Sequence, residues 1–367
     1  MKAFTADKIF TGKEWLSGYS VLVLNDEIAD VVATASLPGS VENQSWKDAC
    51  IAPAFIDLQI YGAAERLLAV YPDEKTLQAL AAYCFSSGTA YCLPTLATNE
   101  IKVFLQAIDA VKTYWQHGGK GVLGLHLEGP WISKEKRGAH VESLIHSPAV
   151  DEVRSLLEYG KGVIKMITLA PEICSPEIIE LILSYNIIIS AGHSNAGYQQ
   201  AIKSFEQGVT LVTHLYNAMS GLHHREAGLT GAAFDHSSVM ASIIADGYHV
   251  AWPAIRIAKK IMGERLFAIT DAVTTTAQGY YRHYPAGEKF EAAGILSGSS
   301  LTMSKALKNL VKHAGIQWEE AIRMCTVYPA AALKQKNIGC IEKGCKANFV
   351  VMKNELDVLE LLRFAAE

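Results

Sequence analysis

The sequence predicts an α/β protein: a (β/α)8 barrel of the TIM type, with a small β-sandwich domain formed by the N- and C-terminal segments. Three observations predict it. Eight short β-type runs cross the middle of the chain, most followed by a helical stretch, which is the spacing of βα units. Those runs end repeatedly in carboxylates and imidazoles, and the C-terminal ends of barrel strands are where such folds place their chemistry. The two chain ends resemble each other and differ from the middle, reading as short strands between turns.

In chain order, residues 1–52 supply the first part of the β domain. Its strands are Phe4-Thr5-Ala6, Ser20 to Leu24, and Ile28 to Val32 after the turn at Asn25-Asp26. The barrel takes residues 53–335. Its runs are Phe55 to Gln59, Ala90 to Pro94, Val122 to Glu128, Ile164 to Glu172, Ile187 to His193, Val209 to His214, Val239 to Asp246 and Leu266 to Asp271. Helices are expected at 74–86, 100–116, 148–159, 176–185, 196–207 and 251–262, with a further pair near 300–314 and 318–326. The segment 215–238 shows no clear helix and is rich in Gly and His, so it reads as a functional loop. Residues 336–367 return to the β domain with a strand at Phe349 to Met352; the stretch from Glu355 to Glu367 reads as helical or frayed.

Composition narrows the function. With 367 residues, 50% apolar and 19% charged, the chain has ample material for a buried core. A formal net charge of −4 gives no electrostatic footprint for nucleic acid or an anionic membrane, so any phosphate must be held by a few placed residues. Asp7 and Lys8 interrupt any signal-peptide core, and Glu180, Ser184 and Asn186 break the longest apolar run. The seven cysteines are odd in number and lack a CxxC, which favours a reduced, cytoplasmic setting with most of them as small core residues.

The strand ends carry the chemistry. Glu128, His193 and His214 close three different runs in GLHLEG, SAGHS and VTHLYNA. One carboxylate with two neutral imidazoles is a common ligand set for a catalytic zinc that keeps a position open for water. Each residue alone reads equally as a hydrogen-bonded polar strand end; three at equivalent positions point to a metal. Asp271, in AITDAV, is suited to take a proton from a metal-bound water and deliver it to a leaving nitrogen. Its bland alternative is a helix cap or turn. His249 follows the seventh run at Asp246-Gly247 and reads either as a group facing the site or as a turn histidine. In LYNAMSGLHHREAG, Asn217 and the amides after it suit polar ligand groups, and Arg225 offers a planar fork for phosphate unless the loop is simply solvated. His140 shares that ambiguity. His126, on the strand face of Glu128, reads as a partner of the ligands or as barrel filling.

Together GLHLEGPW, SAGHSNA, THLYNAM, IIADGYHV, ITDA and LSGSSLTM resemble the N-acetylglucosamine-6-phosphate deacetylases of the amidohydrolase superfamily, over nearly the whole chain. The resemblance implies Glu128, His193 and His214 as metal ligands and Asp271 as the general acid/base. It implies His140 as the group polarising the substrate carbonyl, with Ala139 a sugar contact beside it. Asn217 and Ala218 then touch sugar and phosphate, and His249 the phosphate. Arg225 resembles an arginine that reaches the neighbouring subunit's site, which implies a homodimer. Leu296, Ser297 and Gly298 resemble the loop closing over the substrate. The implied activity is deacetylation of N-acetylglucosamine 6-phosphate to glucosamine 6-phosphate and acetate, in amino-sugar catabolism.

One departure bears on the metal. Many amidohydrolases carry His-x-His at the end of the first strand for a second ion, whereas this chain has Gln59-Ile60-Tyr61. The expectation is therefore a single divalent ion per subunit. Zinc suits the ligands, and Fe2+, Mn2+ or Co2+ would accept them. The rival enzymes are a deacetylase for the galactosamine epimer and another amidohydrolase such as a cyclic-amide hydrolase. The rival outside enzymology is a catalytically silent sugar-phosphate sensor, which has no need of the base at Asp271.

Overall fold

The structure, a computed structural model, describes residues 1–292, 294–353 and 356–363. Eight strands follow one another around the barrel sheet in chain order: Phe55–Ile60, Thr89–Ala97, Leu125–Glu128, Ile164–Leu169, Ile188–Ala191, Leu211–Val212, Met240–Ile244 and Leu266–Ile269. The first and last meet just past their ends, where Ile60 bridges Ala272 in parallel and the Asp271 amide donates to the Gln59 carbonyl at 2.9 Å. All six residues of Phe55–Ile60 are buried, as expected of strands covered on both faces.

Helices follow at Glu74–Ser86, Ile101–Gln116, Val150–Tyr159, Pro176–Ser184, Tyr198–Glu206, Gly228–Asp235 and Trp252–Met262, with Met303–Lys312, Trp318–Cys325 and Val327–Ala332 after the eighth strand. Their apolar stripes explain them. Ile101–Gln116, for example, buries Phe104, Ala107, Ile108 and Val111, an i, i+3, i+4, i+7 set.

The chain divides into two compact units. One comprises Met1–Asp57, Cys84–Tyr91 and Thr302–Glu367; the other comprises Leu58–Tyr83 and Cys92–Leu301. In the first, the two chain ends join one seven-stranded sheet. Glu42–Pro53 is flanked by Lys2–Phe10 on one side and Asn348–Lys353 on the other, with Val351 opposite Ile51. Phe4, Ile9, Val21, Ile51, Phe349 and Val351 form its core. The pairing of the termini inferred from sequence is thus present.

Several expectations are corrected. The fourth run stops at Leu169; Pro171, with no N–H to donate, opens a short 3-10 turn that carries Glu172 off the strand. The segment 215–238 does hold a helix, Gly228–Asp235, whose two glycines and Thr230 lower its helix propensity while its small residues let it be buried. Val358–Arg363 is a strand, paired with Asn348–Lys353, not helix or frayed chain; Glu355 and residues 364–367 lie outside the described residues. Cys340 and Cys345 are joined in a disulfide across a turn, whereas Cys50, Cys84, Cys92 and Cys325 are free and buried. No helix among the described residues is long and apolar enough to cross a membrane.

Candidate metal centre and active site

The strand ends of the second unit converge on one cavity of about 340 Å3, within the ordinary size of small-molecule sites. Glu128 ends the third strand and is fully buried, so its carboxylate must be matched by donors or cations. His193 and His214 each stand two residues past the fifth and sixth strands, and both adopt left-handed backbone, with φ of +47° and +35°. Asp271 does the same past the eighth, at +54°. Such a conformation costs a non-glycine residue on the order of 1–3 kcal/mol and is retained where it aims a side chain.

What it aims is a triad. The Nε2 atoms of His193 and His214 lie 3.1 Å apart, and both face Glu128 Oε1, at 3.4 and 3.2 Å. Tetrahedral ligands at zinc-type bond lengths of about 2.0–2.1 Å sit about 3.3–3.4 Å from one another, so three ligand atoms at these separations fit one small divalent ion. The donor chemistry agrees. His193 Nδ1 donates to the Lys136 carbonyl at 2.9 Å, which fixes the ring with Nε2 directed into the site. His140 also clusters with Glu128 and His193, all within 4.8 Å. However, its Nε2 lies 3.2 Å from the other carboxylate oxygen, Oε2, and its Nδ1 2.8 Å from Thr98 Oγ1. His214 therefore completes the set better than His140.

The electrostatics follow from burial and neighbours. Burial alone would push the Glu128 carboxyl up, but the charge of His193 and hydrogen bonds from His140, His193 and His214 outweigh it and hold it well below the usual carboxylate range. Burial would push His214 down, yet its hydrogen bond to Glu128 and the Glu128 and Asp271 charges raise it. His140 is pushed down to about 4, chiefly by burial and then by His193, so it is neutral and can donate from one nitrogen only. Asp271 is raised, chiefly by burial, with Glu128 adding to it against His214 and His249. The Tyr61 phenol is raised well above its ordinary value by burial and by the Glu128 and Asp271 charges, so it stays a donor.

Gln59 ties these groups together. Its Nε2 donates to Asp271 Oδ1 at 2.8 Å, to Tyr61 Oη at 2.7 Å and to Glu128 Oε1 at 3.1 Å. Tyr61 Oη in turn donates to Glu128 Oε2. Beneath them, His126 Nε2 meets Thr168 Oγ1 at 2.7 Å, which continues through Thr213 to Ser190. His126, pushed down to about 4 chiefly by burial, is barrel filling with satisfied polar atoms. Gly129 explains how Thr98 comes so close: at φ +79°, a Cβ there would sit 2.2 Å from Thr98 Oγ1.

Ala139, His140, Asn217, Ala218, His249, Leu296, Ser297 and Gly298 all line the cavity with Glu128, His193, His214 and Asp271. His249 Nδ1 is 2.6 Å from Asp246 Oδ2, while Asp246 Oδ1 accepts the Tyr248 and His249 amides at 2.8 Å, so the ring has a fixed direction. Asn217 Nδ2 is engaged locally, donating to the His214 and Leu215 carbonyls at 3.2 and 3.3 Å. Leu296, Ser297 and Gly298 belong to the strand Ile295–Ser299 of a three-stranded flap, tethered to the eighth-strand end where the Ser299 amide donates to the Asp271 carbonyl at 3.0 Å. Gly298, at φ +136°, leaves no room for a Cβ against Val273 Cγ1, 2.5 Å away.

Two residues fall elsewhere. Arg225 is exposed and does not line this chain's cavity. Glu172 receives Ser194 Oγ at 2.7 Å and the Asn195 amide at 2.6 Å, and serves that turn instead.

Sequence reasoning missed Lys136, Tyr281 and His283, all on the cavity wall. Lys136 is the one Lys or Arg among the lining residues. Tyr281 donates to the Thr98 carbonyl at 2.6 Å, and His283 Nδ1 meets Ser297 Oγ at 2.9 Å. A signal for the last two exists: Tyr281 and His283 are buried between exposed Tyr280, Arg282 and Tyr284, the alternation of an extended segment with one face inward.

Comparison with known proteins agrees with this geometry. Residues 51–365 match the amidohydrolase family, and residues 1–49 match the NagA composite domain. The chain is 32% identical over 363 residues to an N-acetylglucosamine-6-phosphate deacetylase of Haemophilus influenzae, covering 96% of this chain and 95% of that protein. It is 30% identical to an N-acetylgalactosamine-6-phosphate deacetylase of Escherichia coli O157:H7, covering 97% and 96%. The crystal structure of N-acetylglucosamine-6-phosphate deacetylase from Pasteurella multocida superposes with a TM-score of 0.94 at 32% identity, over 100% of this chain and 98% of that one.

Proposed function

The chain belongs to the amidohydrolase family, and from that premise we propose that it hydrolyses N-acetylglucosamine 6-phosphate to glucosamine 6-phosphate and acetate. The observation that carries the reading is the convergence of Glu128 Oε1 with the Nε2 atoms of His193 and His214 in the cavity that Asp271 lines. Glu128, His193 and His214 would hold one divalent ion, with zinc the best match to one carboxylate and two imidazoles. When bound, such an ion would supply a nucleophilic water near neutral pH and polarise the acetamide carbonyl.

This chain's own groups do the rest. Asp271 accepts the proton of the attacking water as the C–O bond forms, and returns it to the nitrogen as the C–N bond breaks. His140, neutral and held by Thr98, donates its remaining N–H to the carbonyl oxygen as negative charge develops there. Nε2 is that donor, because it faces Glu128 Oε2 at 3.2 Å and a carboxylate oxygen only accepts. Ala139, Asn217 and Ala218 line the sugar's place, and the Leu296-Ser297-Gly298 flap covers it.

The phosphate falls to His249 and Lys136, with Arg225 supplied by a second copy in a homodimer, since Arg225 is exposed and away from its own cavity. We place the enzyme in the cytoplasm, where five of its seven cysteines stay reduced and the Cys340–Cys345 disulfide is the exception. His249→Ala is expected to raise KM for the phosphorylated substrate by about 10- to 100-fold, the worth of a hydrogen bond to a charged group, with kcat little changed. Steady-state kinetics check it, and an equal KM would remove His249 from the phosphate site.

The test of the reading is acetate release from a panel: N-acetylglucosamine and N-acetylgalactosamine, each with and without the 6-phosphate, on protein of measured metal content. Preference for the phosphorylated glucosamine form is expected. Preference for the galactosamine form reassigns the epimer, and tight binding without acetate would make the chain a sensor.

A further inference from the structure

The reaction as derived uses Glu128, His193, His214, Asp271 and His140 but gives no task to Tyr61. Gln59 and Tyr61 are two residues apart on extended chain, so both side chains take the same face; Tyr61 lines the cavity, and Gln59 bonds to Tyr61, Glu128 and Asp271. Tyr61 is anchored at both its backbone groups: its amide donates to the Ala272 carbonyl and its carbonyl accepts from the Leu68 amide, each at 2.9 Å. Its ring packs with Leu67, Ala97, Val273 and Tyr281. A phenol held this firmly is a fixed donor, and it donates to Glu128 Oε2. Its own lone pair is taken by Gln59 Nε2, at 2.7 Å.

The two oxygens of Glu128 therefore have separate duties. Oε2 faces Tyr61 and His140, while Oε1 faces His193 and His214 and accepts from Gln59 Nε2. We propose that Tyr61 is a positioning residue for the metal centre: by holding Oε2 it fixes the carboxylate so that Oε1 alone is presented to the ion. A glutamate side chain without that anchor can rotate, or offer both oxygens to one ion or one to each of two. The anchor also keeps Oε2 satisfied when His140 turns its Nε2 to the substrate carbonyl. The same contact closes Oε2 to a second cation. This inference rests on the metal-hydrolase reading above.

The test is Tyr61→Phe in the full chain, which keeps the ring and its packing and removes only the hydroxyl. Zn2+ affinity, measured by competition with a chromophoric chelator, is expected to weaken by about 10- to 100-fold, the usual effect of losing a partner of a metal ligand. KM for N-acetylglucosamine 6-phosphate at saturating Zn2+ is expected to stay the same. Unchanged Zn2+ affinity in the folded variant overturns the proposal, as does a raised KM at unchanged Zn2+ affinity, which would make Tyr61 a sugar contact. A crystal structure of the Zn2+-loaded wild type tests it without any variant: Oε2 should remain on the phenol, and Glu128 bound through both oxygens contradicts it. A wild type that binds no Zn2+ and releases no acetate instead removes the reading beneath.

Discussion

Asp271→Asn is expected to lower kcat by on the order of 10²–10⁴-fold or more, the range for loss of a general acid–base, while metal content stays at the wild-type level. Asn keeps the shape and an oxygen able to accept from Gln59 Nε2, which reaches Asp271 Oδ1 at 2.8 Å. It cannot accept the water's proton. The raised Asp271 adds a pH signature. The base works only when ionised, so kcat/KM should fall as pH drops and Asp271 takes up a proton. The sign for stability is the reverse. A carboxyl whose folded pKa is raised binds its proton more tightly in the folded chain, so its ionised form is penalised there. That penalty is absent below the unfolded value and grows as pH rises toward the folded one. Metal-free Asp271→Asn should therefore melt at or above the metal-free wild type at neutral pH, with the difference vanishing in acid. Near-normal turnover in the variant would take Asp271 out of the chemistry.

The features legible in the sequence share one cause. A strand buried on both faces reads as an apolar run, so a charged or imidazole side chain at its end stands out; Glu128, His193, His214 and Asp271 were visible for that reason. Glu172 had the right chemistry and the wrong place, because the strand ends at Leu169 and Pro171, one residue before it, turns the chain. Glu42–Pro53 escaped because its first half is exposed and polar and its second wholly buried, so neither half alternates. Tyr281 and His283 do alternate, but in a short segment without strand pairing, ahead of a flap whose first two strands are short and exposed or half-exposed. The joint role of Gln59 and Tyr61 was beyond any local pattern. It depends on Glu128, 67 residues past Tyr61, and on Asp271, 212 past Gln59, and only closure of the barrel brings those ends together.

Removing the metal, or the Glu128 carboxylate proposed to hold it, is the second large effect. Glu128→Ala, or exhaustive chelation of the wild type, is expected to reduce acetate release by several orders of magnitude, since both the activated water and the polarised carbonyl go with the ion. Adding back Zn2+ should restore the chelated wild type and not the variant; activity that survives chelation would count against a metal hydrolase. The metal-free wild type carries its own test. Glu128 is held well below its ordinary value and His214 is raised, so a proton on His214 stands where the cation would. The raised His214 contributes stability that is full below its unfolded pKa and is lost as pH rises through the folded one. The depressed Glu128 contributes stability that is present above its unfolded value and is lost only as pH falls through the folded one. The pair is therefore strongest in the mildly acidic window between those two titrations. Without metal, the melting temperature should fall as pH climbs out of that window through the His214 titration. With metal bound, the neutral imidazoles are the ligands, binding releases the His214 proton, and metal affinity should rise over the same pH range in which the metal-free fold weakens. Melting curves against pH, with and without Zn2+, should therefore diverge on the alkaline side and approach each other in acid, where protons displace the ion. Parallel curves at every pH would mean that Glu128 and His214 do not share a cation.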